Sequence, residues 1–188
     1  YINTGLMIGA NDIEYNFKWR EISAEVQTSL CGSKDPRSGI LYHQSAGEIY
    51  AAIGSTSYGL GNRAIPINSW IDANFTAKNG AWSFQTNETT LSGSYSGTVI
   101  SSNYNFFLFC NSGVQEFSKY SQMPFFDLKV GGVLLRSFFS CRRTSDSVAG
   151  MYDIANGVFY SNAGTGTFSI GGDVAPITPI EGDTATIT

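Results

Sequence analysis

Three short turns constrain this chain more than any other feature. Asn79-Gly80, Gly131-Gly132 and Asn156-Gly157 each sit between runs rich in apolar and aromatic residues. A two-residue hairpin loop needs positive φ at its central positions, which glycine and asparagine adopt at least cost. Each dipeptide therefore predicts two antiparallel strands in a countable register. Asn79-Gly80 sets Ala77 against Trp82, Phe75 against Phe84 and Asn74 against Gln85. Gly131-Gly132 places Leu128 opposite Leu135, Asp127 opposite Arg136 as an ion pair, and Phe125 opposite Phe138. Asn156-Gly157 places Ile154 opposite Phe159 and Asp153 opposite Tyr160. The block from Phe125 to Phe168 holds two of these hairpins and carries no nucleophile, metal cluster or phosphate loop, so it reads as architecture.

The remaining segments agree with strands. From Asp12 to Arg20, Ile13, Tyr15, Phe17 and Trp19 alternate with Glu14, Asn16, Lys18 and Arg20, the period of a half-buried antiparallel strand. Residues 1–8, 26–31, 39–42, 47–53, 89–95 and 103–110 are shorter strand candidates. The run 103–110 is apolar on both faces and predicts a strand covered on both sides. Ser55 to Asn62 holds too many glycines for regular structure and reads as a loop with Tyr58 near its middle. No stretch sustains a helical period, although Val114 to Tyr120 could form one turn. A dozen or so short strands without intervening helices argue for an all-β fold, a two-sheet antiparallel β-sandwich. That domain is expected over residues 1–170, with 171–188 a Pro-containing linker or docking arm around Pro176 and Pro179. The chain opens directly in a strand, which suggests a piece of a longer polypeptide.

Composition narrows the function. Charged residues are 14% of the chain, about half the usual quarter, so its surface must be built largely from Ser, Thr, Asn, Gly and Tyr. Such a surface suits hydrogen bonding to neutral polar partners. The net charge of −4 is uneven: residues 1–143 hold all 11 bases against 10 acids, and five acids follow with no base. No basic patch tracks phosphates and no apolar run is long enough to span a bilayer, so neither nucleic acid nor membrane is an expected partner. The three cysteines, Cys31, Cys110 and Cys141, lack metal-ligand spacing and read as buried free thiols. Two sequons begin at Asn74 and Asn87, a pattern that also arises by chance.

The run LLRSFFSCRRTSDSVAGMYDIANGVFYSNAGTGTF, with YINTG at the start and Trp70, Asn79-Gly80 and Trp82-Ser83-Phe84 in the middle, resembles a known family. It is similar to the laminin-G-like, concanavalin A-like jelly rolls common in tail and other virion proteins of phages and prophages of gut bacteria. These stretches cover under half the chain, and Val148 to Phe168 is the most specific of them. Members often carry Arg-Asp-Phe and a proline before the cysteine, where this chain has Arg136-Ser137-Phe138 and Ser140.

The resemblance implies a jelly-roll sandwich and a non-enzymatic role on a virion, made in the bacterial cytoplasm and assembled as a homo-oligomer. Other virion proteins or neighbouring domains would be met through residues 171–188. It supplies no catalytic residues. Glycan-cleaving enzymes on this fold gather carboxylates on one strand; here Asp12 and Glu14 come closest, and Asn16 and Lys18 follow them. His43 is the only histidine and reads as a loop residue. The family admits calcium, with Asp35, Asp146, Asp153 and Asp173 as loop acids, but no spaced acidic loop is present and no cofactor is expected. Two function classes remain. In one, the domain binds carbohydrate through loop aromatics and polar caps, for which Tyr58, Asn62, Arg63, Tyr95 and Asn103 are the candidates. In the other it is a structural decoration or spacer. A carbohydrate-binding module of a bacterial surface protein is a further alternative.

Overall fold

The computed structural model describes residues 1–22, 28–33, 38–43, 49–53, 56–59, 68–100, 105–110 and 121–169. Fourteen strands follow in order: β1 Ile2–Met7, β2 Asp12–Glu21, β3 Thr28–Ser33, β4 Ser38–His43, β5 Ile49–Ile53, β6 Thr56–Gly59, β7 Ile71–Lys78, β8 Ala81–Thr86, β9 Thr90–Ser94, β10 Asn105–Leu108, β11 Ser121–Val130, β12 Val133–Arg142, β13 Ala149–Asp153 and β14 Val158–Ser161. They form two antiparallel sheets, a six-stranded one ordered β1-β10-β3-β4-β5-β6 and an eight-stranded one ordered β14-β13-β12-β11-β2-β7-β8-β9. The chain passes repeatedly between the sheets, as a jelly roll does, and all regular structure among the described residues is strand.

The core forms where the inner faces meet. On β2, Ile13, Tyr15, Phe17 and Trp19 are all buried, as their alternation predicts. The Tyr15 ring lies 5.7 Å from Phe75, 5.4 Å from Phe126 and 5.7 Å from Phe106, which comes from the opposite sheet. Burial pushes the Tyr15 phenol well above its ordinary pKa, so it enters the core protonated. Each of these rings contributes about 1.5–3 kcal/mol by leaving water. β10 contributes Phe106, Phe107 and Leu108, all buried, which explains its lack of a polar face.

The Asn79-Gly80 hairpin has the register counted from its sequence, with φ of 52° and 78° at the two turn residues. The other two hairpins differ. Beyond Val130↔Val133 and Lys129↔Leu134, a bulge at Leu135 shifts the ladder to Leu128↔Arg136, Asp127↔Ser137, Phe126↔Phe138 and Phe125↔Phe139. The physical reason is the core: an unbulged ladder would set Ser137 beside buried Phe126, whereas the extra residue brings Phe138 there, fully buried. The expected Asp127 to Arg136 pair is therefore not formed. Asp127 accepts from the Ser137 hydroxyl at 2.8 Å, and Arg136 faces Asp153 at 3.4 Å.

In the third hairpin the ladder is Asp153↔Val158, Tyr152↔Phe159 and Met151↔Tyr160, so residues 154–157 form a four-residue turn. Asp153 causes this. Its carbonyl accepts from Gly157 N at 2.8 Å, and its carboxylate accepts from Ala155 N and Asn156 Nδ2 at 3.1 and 2.9 Å.

Three smaller expectations also change. Thr56–Gly59 is not a loop: it pairs with β5 as the edge strand of the smaller sheet, which asks only for backbone partners. His43 ends β4, opposite Ile49. Cys31 and Cys110 are buried, but Cys141 is exposed. The helical turn at 114–120 and the arm at 171–188 lie outside the described residues.

Candidate functional site

Of the five residues expected to bind ligand, Tyr58 and Tyr95 are described, and Asn62, Arg63 and Asn103 lie outside the described residues. Tyr58 sits on β6 opposite Ala51, partly buried, with its ring 6.3 Å from that of Trp82 on β8. It is a wedge between the two sheets at one side of the sandwich. Trp82 in turn lies over Gly93, where an added Cβ would come within 2.7 Å of the indole. Tyr95 follows β9. Its amide donates to Gly80 O at 2.8 Å and its hydroxyl to Asn11 O at 3.0 Å. With Asn11, Asn79, Gly80 and Gly97 it lines an open hollow of about 250 Å³. Both rings are partly buried and pack against the core.

The acids on the polar faces are engaged. Asp12 meets Lys78 at 2.9 Å, and Glu14 meets Lys129 at 2.7 Å and Asn74 at 3.5 Å. Arg143 grips Asp146 through two nitrogens, holding its carboxyl below the usual range, and the carboxylate raises the guanidinium in return. Asp153 is fully buried inside its hairpin. Asp35 and Asp173 lie outside the described residues, among which no three His, Cys, Asp or Glu side chains gather to hold a metal ion.

The outer face of the eight-stranded sheet carries a feature that sequence reasoning missed. Residues facing outward line up across strands as rows, because antiparallel partners stand opposite one another. One row runs Asp72↔Lys18↔Phe125↔Phe139↔Tyr152↔Phe159 from β7 to β14. Four successive strands thus each present an aromatic ring. Phe125 and Phe139 stack with centroids 6.1 Å apart and planes 28° from parallel. Phe139 and Tyr152 are 43% and 41% exposed.

Polar contacts flank both ends of the row. At the β14 end the Phe159 ring lies across Gly150, where an added Cβ would come within 2.6 Å of it, and Arg143 covers it at 4.8 Å. At the β2 end Lys18 meets Asp72 at 3.4 Å. Beyond them Trp70, 39% exposed, lies 4.6 Å under the Arg20 guanidinium, which also donates to Gln122. The next outward row is Gln85↔Asn74↔Asn16↔Asp127↔Ser137, entirely polar. The alternation of β2 and β7 could reveal which side of the sheet each residue takes. The aromatic row needed the bulge, since without it Phe138 rather than Phe139 would stand beside Phe125.

No protein-family model matches the chain, and no curated protein sequence does. Solved structures do resemble it. Domain 4 of AbnA, an extracellular GH43 arabinanase from Geobacillus stearothermophilus solved with arabinotriose, aligns over 66% of this chain and 63% of its own at 19% identity, with a TM-score of 0.51. Domains LG4-5 of the mouse laminin α1 chain align over 69% of this chain at 12% identity, again with a TM-score of 0.51. The chain spans 63% of the arabinanase domain's length and 37% of the laminin chain's. The likeness is one of fold: the chain is an all-β jelly-roll sandwich, as these two structures are.

Proposed function

We propose that this chain is a non-catalytic carbohydrate-binding domain displayed on a phage virion. The observation that carries the binding role is the row of four aromatic residues on the outer sheet face, Phe139 and Tyr152 exposed and Phe125 and Phe159 half-buried, beside a row that is entirely polar. Sugars offer one apolar C–H face and a rim of hydroxyls, so a ring platform flanked by Asn, Ser, Gln and Arg matches both parts. The arabinotriose on the arabinanase domain is consistent with this fold holding a neutral oligosaccharide. The virion placement rests on the resemblance of Val148 to Phe168 to phage tail proteins. We assign no catalytic residue and no cofactor: Asp12 and Glu14 each hold a lysine, whereas glycoside hydrolysis needs two carboxyl groups facing one bond.

A spacer role is the second reading, favoured by Val133, Leu134, Ile154 and Val158, apolar residues exposed at or near the hairpin tips where a neighbouring chain could cover them. Affinity electrophoresis of the full chain through gels containing bacterial surface and plant polysaccharides separates the two. Retardation by at least one polysaccharide is expected. Unchanged mobility in every gel would overturn carbohydrate binding in favour of the spacer.

A further inference from the structure

We infer that the aromatic row binds a neutral polysaccharide lying across the strands, internal sugars first and chain ends not required. This rests on the carbohydrate-binding reading and adds the ligand's charge, direction and length. Direction follows from placement. Each of β11, β12, β13 and β14 presents one aromatic residue in this row, so a chain running along a strand would meet one ring, whereas a chain crossing the strands meets Phe125, Phe139, Tyr152 and Phe159 in turn. Neighbouring strands stand about 4.8 Å apart, close to the length of one sugar residue, so consecutive sugars can each find a ring.

The row is one ring wide. Asp127 and Ser137 border it on one side, and Cys141, Gly150 and Ser161 on the other. Short polar side chains and a glycine raise no wall along its sides, and Arg143 and the Lys18–Asp72 pair at its ends are surface side chains, so internal segments fit as well as ends.

Charge follows from pairing. Lys18 meets Asp72, Lys129 meets Glu14 and Arg143 meets Asp146, so the lysines beside the row and the arginine at its end are matched by carboxylates. The whole chain carries −4. This field therefore offers little to a uronic or sulfated polysaccharide, Arg20 lying beyond Lys18 where it stacks on Trp70 and donates to Gln122. A second copy of the chain is a poorer occupant. Rings of this kind offer about 150–250 Å² each when fully exposed. At the exposures of Phe139 and Tyr152, and with Phe125 and Phe159 less exposed, the row presents under about 300 Å², well short of the roughly 800 Å² per partner that a stable protein interface buries.

The test is isothermal titration of the full chain with cello-, xylo- and arabino-oligosaccharides, each from the disaccharide to the hexasaccharide, with polygalacturonate and dextran sulfate as charged polymers. Affinity for at least one neutral series should rise at least about tenfold from the disaccharide to the tetrasaccharide and then level off, once the fourth ring is used. Phe139→Ala and Tyr152→Ala should each lower it by about tenfold or more, while Phe139→Tyr restores it. Circular dichroism and sedimentation of the same samples establish that the variants are folded and show whether their state of association matches the parent's. Binding that is independent of length, that favours the charged polymers, or that survives both alanine variants would overturn this inference while leaving carbohydrate binding intact. Self-association lost in Phe139→Ala would also overturn it, assigning the row to a second copy. No binding to any glycan by the folded protein would overturn both readings.

Discussion

Replacing Asp153 by alanine should cost about 3–5 kcal/mol of folding stability. The carboxylate is completely buried, and it accepts hydrogen bonds from Ser137 N at 3.0 Å, Ala155 N at 3.1 Å and Asn156 Nδ2 at 2.9 Å while facing Arg136 Nε at 3.4 Å. Hydrogen bonds to a charged acceptor are each worth about 1.5–3 kcal/mol, and they do not add. The larger effect is Arg136, whose side chain is only 16% exposed. Removing one partner of a buried pair leaves the other desolvated and alone, a loss of about 3–5 kcal/mol. Domains of this kind are held by about 5–15 kcal/mol in total, so the variant would sit near the edge of folding. For a chain of this size the melting temperature should fall by roughly 6–20 °C. Asp153→Asn makes the argument sharper. Its oxygen can still serve Ser137 and Ala155, but its amide would point a donor at Asn156 and Arg136, so about half the loss should remain. Urea denaturation followed by circular dichroism measures both, with the midpoint moving at constant slope. A loss below about 1 kcal/mol for Asp153→Ala would show that the carboxylate does not organise this hairpin, and the reason given for its register would fail.

Neighbouring phenylalanines test the bulge. Phe138→Ala should cost about 3–5 kcal/mol, since Phe138 is fully buried beside Phe126, whereas Phe139→Ala should cost under about 1 kcal/mol; the reverse order in thermal melts would restore the unbulged register. Gly93→Ala should destabilise by about 1–3 kcal/mol, because the new methyl meets the buried Trp82 indole, and scanning fluorimetry that finds no shift would contradict that packing. Cys141 alone of the three thiols should react with Ellman's reagent in the native protein, slowly because partial burial raises its pKa, with Cys31 and Cys110 reacting only in denaturant. The Arg143–Asp146 contact depresses the folded-state pKa of Asp146 below its unfolded value. Its contribution is therefore complete above the ordinary carboxylate range and is lost as pH falls through the depressed value. NMR titration should show the Asp146 carboxyl moving back up in Arg143→Gln, and no movement would remove Arg143 as the cause.

How far the sequence can be read depends on whether a local rule meets a competing demand. Around Asn79-Gly80 nothing competes: the turn wants positive φ, the core wants Phe75, Ala77, Trp82 and Phe84, and both ask for the same register. At Gly131-Gly132 the turn is as expected, but three residues later the core outbids the regular ladder, and one extra residue at Leu135 exchanges Ser137 for Phe138. At Asn156-Gly157 the carboxylate of Asp153 needs donors, and a four-residue turn supplies Ala155 N and Asn156 Nδ2 where a two-residue turn would not. The β-sandwich was legible because alternation and turn chemistry are local properties. The aromatic row was not, because it is a property of four strands at once. Each member, taken alone, is an ordinary half-exposed aromatic in a strand, whereas the glycine-rich stretch around Tyr58 carries a stronger local signal. Alternation assigns Phe139 and Tyr152 to a face, but only the bulge sets Phe139 beside Phe125 and only the shifted turn sets Phe159 beside Tyr152. The two places where the local rule gives way are thus the two places that build the candidate site: the core's need for Phe138 brings Phe139 out beside Phe125, and the needs of Asp153 set Tyr152 between Phe139 and Phe159.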